Sequence, residues 1–411
     1  MITEKIKNCI LENQEKHAFF VYDTAIMNAQ MDSLSCLSEN IKTYYAMKAN
    51  PNQKIIETAL KHPNITWIEI ASKWEAEKVL NAKVWIDPEL NLQNVIYTWP
   101  SKSEEELEFV MKHNIKYLNV ESWKECVLIN ELAKKMWKKQ KILIRLNTKH
   151  KFDENEAGVV LWSGDTQFGF PQDEIERYLP YIEKLENIEI YWFHMYPATG
   201  VMKAKTLLKS VEASFEFVKN IEEKTWIKVH TLDFGGGFGI DYSWNEVFDI
   251  EEYAKWMKKL IEKYNMQNKE LILELGRYIA ADMWFFVTKV NDIKTLKSGT
   301  KAVLTLAWTN AHKRPQVLNV DYKLDVVKTN QMKELYKIAE KYGLKIEKVE
   351  KTDKFNVYGP FCTSVDKIAT WKTWFDIELG DFIVQLQAWA YGKTMSPQEF
   401  LSHPEVEEIV I

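Results

Sequence analysis

Residues 188–234 decide the fold, because two short β-rich segments lie on either side of a long amphipathic one. The three segments are IEIYWFH (188–194), KAKTLLKSVEASFEFVKNI (203–221) and VHTLDF (229–234). Short runs of branched and aromatic residues are typical of buried strands, whereas apolar residues three and four positions apart indicate a helix. A strand, a helix and a second strand in this order predict two parallel strands joined by a crossover helix.

The same alternation extends in both directions, from about residue 42 to residue 275. The six other candidate strands are TYYAM (43–47), TWIEIA (66–71), NVIYT (94–98), KYLNV (116–120), KILIRLN (141–147) and ELILEL (270–275). Eight strands, each followed by a helix-like stretch, predict an α/β fold of the (β/α)8 or TIM barrel type. A doubly wound open sheet is the alternative, but it needs fewer strands and usually an early GxGxxG turn.

Beyond residue 285 the chain becomes β-rich. The segments WFFVTKV (284–290), KAVLTLA (301–307), KFNVYG (354–359) and DFIVQLQAWAY (381–391) read as strands. We therefore expect a barrel formed by residues 30–285 and a second, C-terminal β-rich domain. Residues 286–411 form this second domain, which the N-terminal segment 1–29 completes.

The composition excludes several functional classes. A net charge of -5 over 411 residues gives no electrostatic footprint for nucleic acid. The N-terminus is polar, and the absence of any apolar run of 18 residues predicts a cytoplasmic protein without a membrane partner. Four widely spaced cysteines without a CxxC pair argue against a disulfide framework and a zinc site, so we expect no metal.

Polar residues gather where the predicted strands end, which is where barrel enzymes place their chemistry. They supply an amine, an aromatic base, a glycine-rich turn and charged groups: Lys48, Glu69, Arg145, His194, Gly235, Gly236, Gly237, Glu274 and Arg277. Each has an ordinary alternative, because a lone lysine is usually a surface residue and a lone histidine usually a satisfied core residue. Together they describe one binding site.

Pyridoxal 5'-phosphate (PLP) matches this set of groups. Three consecutive glycines allow backbone N–H groups to surround a phosphate, and Lys48 is a candidate Schiff-base former for an aldehyde. An acidic neighbour such as Glu274 sets the protonation of a ring nitrogen. The residues therefore predict PLP as cofactor.

Several motifs carry a resemblance to a known family. YYAMKANPN (44–52), LDFGGGFGIDY (232–242), ELGRYIAA (274–281) and GPFCTSVDKIA (359–369) resemble motifs of the fold-type III PLP-dependent decarboxylases. This group holds ornithine, arginine and diaminopimelate decarboxylases, with alanine racemase as a more distant relative. The ordered motifs cover nearly the whole chain and imply an alanine racemase-like barrel.

Two further segments resemble one branch of this family. TQFG (166–169) and SPQEFLSHPEVEEI (396–409) look most like decarboxylases of carboxylate-type siderophore pathways, such as the staphyloferrin B type. That branch acts on a citrate-linked amino acid, so the resemblance implies a substrate of this class. Diaminopimelate and ornithine or arginine are the alternative substrates.

The resemblance also implies a role for individual residues. Lys48 would bond to PLP, His194 would stack on its ring, and Glu274 would pair with the ring nitrogen. The implied phosphate ligands are Gly235, Gly236, Gly237, Arg277 and Tyr391. Cys362 would return a proton to the substrate, and Asp366, Arg314 and Arg145 are the candidate substrate contacts.

The family also implies a head-to-tail homodimer in which Cys362 and Asp366 reach the partner's site. An alternative from another class is a non-catalytic, decarboxylase-like regulator that binds a partner enzyme. The intact Lys48, Glu274 and Cys362 argue against that alternative.

The tryptophan count is unusual. The chain has 14 glycines and 16 tryptophans, whereas glycine ordinarily makes up about 7% of residues. Seven tryptophans stand where the family motifs have glycine: Trp67, Trp74, Trp99, Trp192, Trp284, Trp308 and Trp389. We hypothesise that they are UGA codons that the organism reads as glycine; the alternatives are an authentic Trp-rich protein or deliberate mutation.

Overall fold

The structure is a computed structural model. It describes residues 2–84, 92–148, 160–161, 165–196, 198–225, 228–242, 244–312, 323–363, 366–388 and 390–411. Arg314 and Trp389 lie outside these residues. The chain divides into two compact units: a barrel unit of Asn28–Asp241 and Glu246–Ile279, and a sheet unit of Met1–Met27, Tyr242–Asn245 and Ala280–Ile411.

The described residues contain nineteen strands. In chain order they are β1 (Ala18–Tyr22), β2 (Ile41–Ala46), β3 (Trp67–Ile70), β4 (Ile96–Tyr97), β5 (Tyr117–Val120), β6 (Gln140–Asn147), β7 (Val160–Leu161), β8 (Phe170–Pro171), β9 (Ile188–His194), β10 (Ala198–Thr199), β11 (Thr231–Asp233), β12 (Glu270–Leu275), β13 (Trp284–Thr295), β14 (Lys301–Thr305), β15 (Leu324–Val327), β16 (Phe355–Tyr358), β17 (Lys367–Lys372), β18 (Phe382–Gln385) and β19 (Glu407–Val410).

The same residues contain eleven α-helices. They are α1 (Glu4–Glu12), α2 (Thr24–Asp32), α3 (Gln53–Lys61), α4 (Lys73–Leu80), α5 (Glu104–Lys112), α6 (Trp123–Lys135), α7 (Ile175–Ile182), α8 (Ala204–Thr225), α9 (Ile250–Tyr264), α10 (Arg277–Ala280) and α11 (Lys333–Lys341). Within the described ranges, no helix is both long enough and apolar enough to span a membrane.

Eight parallel strands close into a barrel, as predicted. Their order around the barrel is β2, β3, β4, β5, β6, β9, β11 and β12, and β12 pairs with β2 to complete the circle. Every predicted strand between residues 43 and 275 overlaps one of these strands. Parallel strands covered by helices are buried on both faces, which explains why their sequences read as nearly continuous apolar runs.

Serine caps start three of the crossover helices. The side chains of Ser72, Ser103 and Ser122 each accept a hydrogen bond from the backbone N–H three residues later. In α5 the Glu106 side chain also accepts from the Ser103 N–H, which completes a capping box. These caps satisfy N–H groups that would otherwise lack a partner, so each helix begins immediately after its βα loop.

The sheet unit contains eight strands. Six follow the order β15, β18, β13, β14, β16 and β17, while β1 pairs with β13 and β19 pairs with β1. Strand β1 runs antiparallel to β13, with Phe20 opposite Phe286. The N-terminal segment is therefore part of this sheet. Its core packs α1 against the strands through Ile6, Phe19 and Phe382.

Candidate active site

Lys48 lies at the carboxyl end of the first barrel strand. A single 3-10 turn, Met47–Ala49, follows β2 and carries the lysine. The Nζ atom of Lys48 is 2.5 Å from Oε2 of Glu69, a buried residue on the neighbouring strand β3. Burial raises the pKa of Glu69 to about 8, although the positive charge of Lys48 opposes this shift. The amine and the carboxyl group therefore form a closely coupled acid–base pair.

A second buried cluster lies across the barrel interior. His194 and Asp233 end the neighbouring strands β9 and β11 and are register partners, and Glu274 lies near the end of β12. The Nε2 atom of His194 is 3.6 Å from Oε2 of Glu274. One nitrogen or oxygen atom from each of the three residues lies within 4.8 Å of the others, so they form one compact buried cluster.

The three groups of this cluster differ in protonation. Burial lowers the pKa of His194, which favours a neutral imidazole. Burial and the negative charge of Glu274 raise the pKa of Asp233 well above its ordinary value. Burial alone would raise the pKa of Glu274 too, but His194, Lys48 and Asp233 outweigh it and lower that pKa. The cluster therefore combines one ionised carboxylate with one protonated carboxyl group.

Glu274 also receives a hydrogen bond from the opposite side of the barrel. The hydroxyl of Thr98 donates to Oε1 of Glu274 over 2.7 Å, and Nδ2 of Asn119 donates to the same hydroxyl over 2.7 Å. Both residues are buried. The carboxylate of Glu274 is thus held at Oε1 by Thr98, while Oε2 faces the ring of His194.

The glycine run follows β11. Gly235 and Gly237 have φ values of +61° and +103°, which residues with side chains rarely adopt. A Cβ atom at Gly236 would lie 2.4 Å from the carbonyl oxygen of Glu274. These positions exclude side chains, so the turn exposes backbone in the way that an oxyanion cradle requires.

Arg145 is already paired within the barrel unit. Its Nη1 atom lies 2.8 Å from Oε1 of Glu121, and both side chains are buried. The Arg145 guanidinium also packs over the Phe168 ring at 4.4 Å, and the Gly169 N–H donates to the other Glu121 oxygen. This arrangement stabilises the wall beside His194, the register partner of Arg145. Its predicted contact with a substrate stays a prediction.

Arg277 begins α10, immediately after Gly276. A Cβ atom at Gly276 would lie 3.1 Å from that of Ala49 and 3.3 Å from the backbone oxygen of Ala46. The absence of a side chain at position 276 therefore lets the end of β12 approach the turn that carries Lys48.

Cys362, Asp366 and Tyr391 belong to the sheet unit. Cys362 is an exposed free cysteine. Asp366 is buried, and its carboxylate accepts hydrogen bonds from the Thr309 N–H and hydroxyl and from the Phe361 N–H. Asp366 therefore anchors the loop that carries Cys362. Its predicted contact with the distal group of a substrate stays a prediction.

The barrel residues fit PLP on structural grounds. Neither ring nitrogen of the buried His194 has a hydrogen-bond partner within the part of the chain that the structure describes, which suits a ring that stacks on a cofactor. The glycine turn has no room for side chains, and the ionised Glu274 has the charge that a protonated ring nitrogen requires in a partner. Fold and site together define a barrel enzyme built for this cofactor.

Comparison with known proteins identifies the family. Residues 24–281 match the model of the pyridoxal-dependent decarboxylase, pyridoxal binding domain. The chain therefore belongs to the pyridoxal-dependent decarboxylases, and it is a PLP-dependent enzyme of the carboxy-lyase class.

Three relatives place the chain within this family. It is 27% identical over 394 residues to 2-[(L-alanin-3-ylcarbamoyl)methyl]-2-hydroxybutanedioate decarboxylase of Staphylococcus aureus (strain NCTC 8325 / PS 47), covering 95% of this chain and 93% of that one. It is 25% identical over 393 residues to diaminopimelate decarboxylase of Aquifex aeolicus (strain VF5), covering 95% and 86%. Diaminopimelate decarboxylase from Helicobacter pylori, complexed with L-lysine, shares the fold with a TM-score of 0.80 at 22% identity, covering 96% and 92%.

Sequence reasoning missed several polar residues of the site. Thr98 is the last residue of a predicted strand, and Asn119 is a polar residue inside an apolar one. Asp233 and Glu121 also occupy strand ends. Their position was a usable signal, but the partners of Thr98 and Asn119 lie on other strands and are visible only in the folded barrel.

Proposed function

We propose that the chain decarboxylates an amino acid joined to a citrate-type acid, as a step in siderophore biosynthesis. The observation that carries the proposed reaction is the buried, ionised carboxylate of Glu274, held within the barrel by Thr98. A carboxylate beside the ring nitrogen of PLP keeps that nitrogen protonated and therefore favours loss of CO2 over racemisation.

The proposed substrate class rests on the staphylococcal relative. The name of that relative's substrate describes an alanine unit joined through an amide to a hydroxylated polycarboxylic acid, and the similarity extends over 95% of this chain. Diaminopimelate is the second candidate substrate, because the Aquifex aeolicus relative covers the same share of the chain.

In this proposal the barrel residues hold the cofactor. Lys48 would hold PLP through the aldehyde of the cofactor, with the carboxyl group of Glu69 beside its amine. The neutral His194 ring would pack on the cofactor ring, and the glycine turn, Arg277 and Tyr391 would bind the phosphate. When bound, PLP supplies an electron sink for the electron pair that CO2 leaves behind.

The sheet-unit residues complete the proposed reaction. Cys362 returns a proton to the substrate carbon, and Asp366 keeps its loop in place. We propose that Cys362 acts in the site of a partner subunit, in a head-to-tail homodimer. Arg314 is a candidate for a substrate carboxylate. Arg145 is a further candidate substrate contact, although a substrate would have to compete with Glu121 for its guanidinium.

The experiment is a CO2-release assay on the PLP-loaded enzyme. Its panel contains the citrate amide of 2,3-diaminopropionate, diaminopimelate, ornithine and arginine, with Lys48→Ala as the inactive control. We expect the citrate amide to give the highest kcat/KM. Faster turnover of diaminopimelate would assign the second candidate, and no CO2 from any compound would contradict the proposal.

A complementation assay tests the shared site. Lys48→Ala and Cys362→Ala should each be inactive alone. If each site takes its cysteine from the partner, random mixing makes half of the dimers hybrid with one intact site, so activity should return to about a quarter of the wild-type value. Mixtures that stay inactive would contradict a shared site.

A further inference from the structure

Three polar side chains form a hydrogen-bonded chain across the barrel interior. Asn119 on β5 donates to Thr98, which follows β4, and Thr98 donates to Glu274 on β12, each over 2.7 Å. Strands β2 and β3 separate β4 from β12 in the sheet. The Thr98 bond to Glu274 therefore crosses the barrel instead of joining adjacent strands.

The direction of each hydrogen bond is set by chemistry. An ionised carboxylate accepts and cannot donate, so Thr98 must use its single O–H on Glu274. The Thr98 oxygen can then only accept, which requires the NH2 group of Asn119 to point toward it. The Nζ atom of Lys102 in turn donates to the backbone oxygen of Asn119 over 2.7 Å and keeps this strand end in place.

We propose that Thr98 and Asn119 are positioning residues that fix the orientation of the Glu274 carboxylate. This inference rests on the proposed function of Glu274 as the partner of the ring nitrogen. The Thr98 bond holds Oε1, which leaves Oε2 on the side of His194. A carboxylate held in one orientation does not have to reorganise during the reaction.

The test compares Thr98→Val with Thr98→Ser. Valine keeps the shape of threonine without the donor, and serine keeps the donor. A charge-assisted hydrogen bond is worth enough that its loss should lower kcat about 10- to 100-fold. We expect little change in KM for Thr98→Val, weaker PLP affinity by absorbance titration, and recovery of kcat to within about threefold of wild type in Thr98→Ser.

The outcomes separate this inference from the proposed function. Equal kcat and PLP affinity in wild type and Thr98→Val would overturn the positioning role while the proposed function stands. An equal loss of kcat in Thr98→Ser and Thr98→Val would also overturn the positioning role, because the loss would then come from altered packing and not from the missing hydroxyl. A wild-type protein that binds no PLP would refute the proposed function itself.

Four helices end in the same Schellman motif, in which a residue with positive φ lies one or two positions after the last helical residue. In each, its N–H donates to the carbonyl three residues back, and the next N–H donates to the carbonyl five residues back. This position holds Asn114 after α5, Asn265 after α9, Gly343 after α11 and Trp137 after α6. Glycine and asparagine are the usual residues there, and tryptophan is not.

Trp137 is one of several such cases. Twelve non-glycine residues in the described ranges have positive φ, and five of them are tryptophan: Trp137, Trp192, Trp244, Trp371 and Trp374. The φ of Trp192 is +121° in the middle of β9, a region that is almost exclusive to glycine. Trp137 and Trp374 are 96% and 81% exposed, so little packing offsets the strain.

We infer that residues 137, 192, 244, 371 and 374 are glycine in the polypeptide that the cell makes, with UGA codons read as glycine. Six of the seven tryptophans that stand at glycine positions of the family motifs are described, and only Trp192 of these six has positive φ. Backbone conformation therefore adds four positions that the motifs did not identify: 137, 244, 371 and 374. Backbone conformation thus supports glycine at these five positions independently of any family motif.

Trp256 is the matched control. It lies within α9, where glycine is unfavourable, and Nζ of Lys259 lies 4.0 Å from the centroid of its ring. The decisive experiment is peptide mass spectrometry of the protein isolated from its own cells, together with the codons of its gene. We expect glycine masses and UGA at positions 137, 371 and 374, and tryptophan with UGG at 256. Tryptophan masses at the first three positions would overturn the inference.

Recombinant variants test the conformational argument. Trp137 has a left-handed backbone conformation that is strained for any residue with a side chain. Trp137→Gly should therefore raise Tm by about 2–4 °C, whereas Trp256→Gly should lower it by a similar amount because glycine is unfavourable within a helix. Equal shifts of the same sign in both variants would contradict the argument from backbone strain.

Discussion

The amine of Lys48 lies 2.5 Å from the carboxyl group of the fully buried Glu69. Lys48 directly follows β2 and Glu69 lies near the end of the neighbouring parallel strand β3, so the barrel itself brings them together. Since burial raises the pKa of Glu69 to about 8, the carboxyl group keeps its proton near neutral pH. The pair therefore places a neutral, titratable carboxyl group beside the amine that we propose attacks an aldehyde.

The raised pKa of Glu69 predicts a pH dependence of stability. Between pH 4.5 and about 8 the unfolded chain has lost this proton while the folded protein keeps it. The folded state then binds more protons, so the Glu69 contribution to stability falls as pH rises through this window. Glu69→Gln cannot ionise and should escape this loss.

Urea unfolding of the PLP-free protein at pH 5 and pH 9 measures this effect. We expect the free energy of unfolding of Glu69→Gln, relative to wild type, to be higher at pH 9 than at pH 5. Glu75→Gln removes a partly buried carboxyl group whose pKa burial also raises, so its free energy of unfolding relative to wild type should change in the same direction. If the free energy of unfolding of Glu69→Gln differs from that of wild type by the same amount at pH 5 and pH 9, the raised pKa of Glu69 is contradicted.

Gly236→Ala should damage both folding and PLP binding. Its Cβ atom would lie 2.4 Å from the backbone oxygen of Glu274, and overpacking of this kind costs about 1–3 kcal/mol. The control is Gly299→Ala, where the φ of +82° strains a side chain but no atom lies within 4 Å of a Cβ, so stability should fall without an effect on the glycine turn of the barrel. Chemical denaturation and PLP titration should show a loss of PLP affinity only for Gly236→Ala. Unchanged PLP affinity would argue against the glycine turn as the phosphate cradle.

Asp366→Ala should loosen the loop that carries Cys362. Three donors, from Thr309 and Phe361, would lose their acceptor, at a cost of about 1–3 kcal/mol in the free energy of unfolding. Asp376→Ala removes a half-exposed carboxylate and should change stability by less than about 0.5 kcal/mol. Thermal unfolding compares the two variants, and equal stability would show that Asp366 does not anchor the loop.

The fold could be predicted largely from local pattern. The run 188–194 is a strand over the same seven residues in the structure, and the runs around residues 96 and 232 form shorter strands than predicted. Parallel strands buried on both faces leave a strong apolar signal, but their ends depend on which neighbour supplies the hydrogen bonds. Tyr97 and Asp233 end their strands for that reason.

The site could be predicted only in part. His194 and Glu274 were identifiable because each is a polar residue at the end of an apolar run. Thr98 was not, because its importance comes from a partner 176 positions away in the chain. Asp366 was assigned to the substrate by resemblance, whereas its hydrogen bonds within the loop could be seen only after folding.

Lys48 is the residue that we propose holds PLP, and every other proposed role depends on it. The measurement is the visible absorbance spectrum of purified protein incubated with PLP and then reduced with borohydride, followed by peptide mass spectrometry. We predict a PLP-derived mass on the peptide that contains Lys48, and loss of both this mass and CO2 release in Lys48→Ala. PLP attached to another lysine, or undiminished CO2 release from Lys48→Ala, would contradict the account.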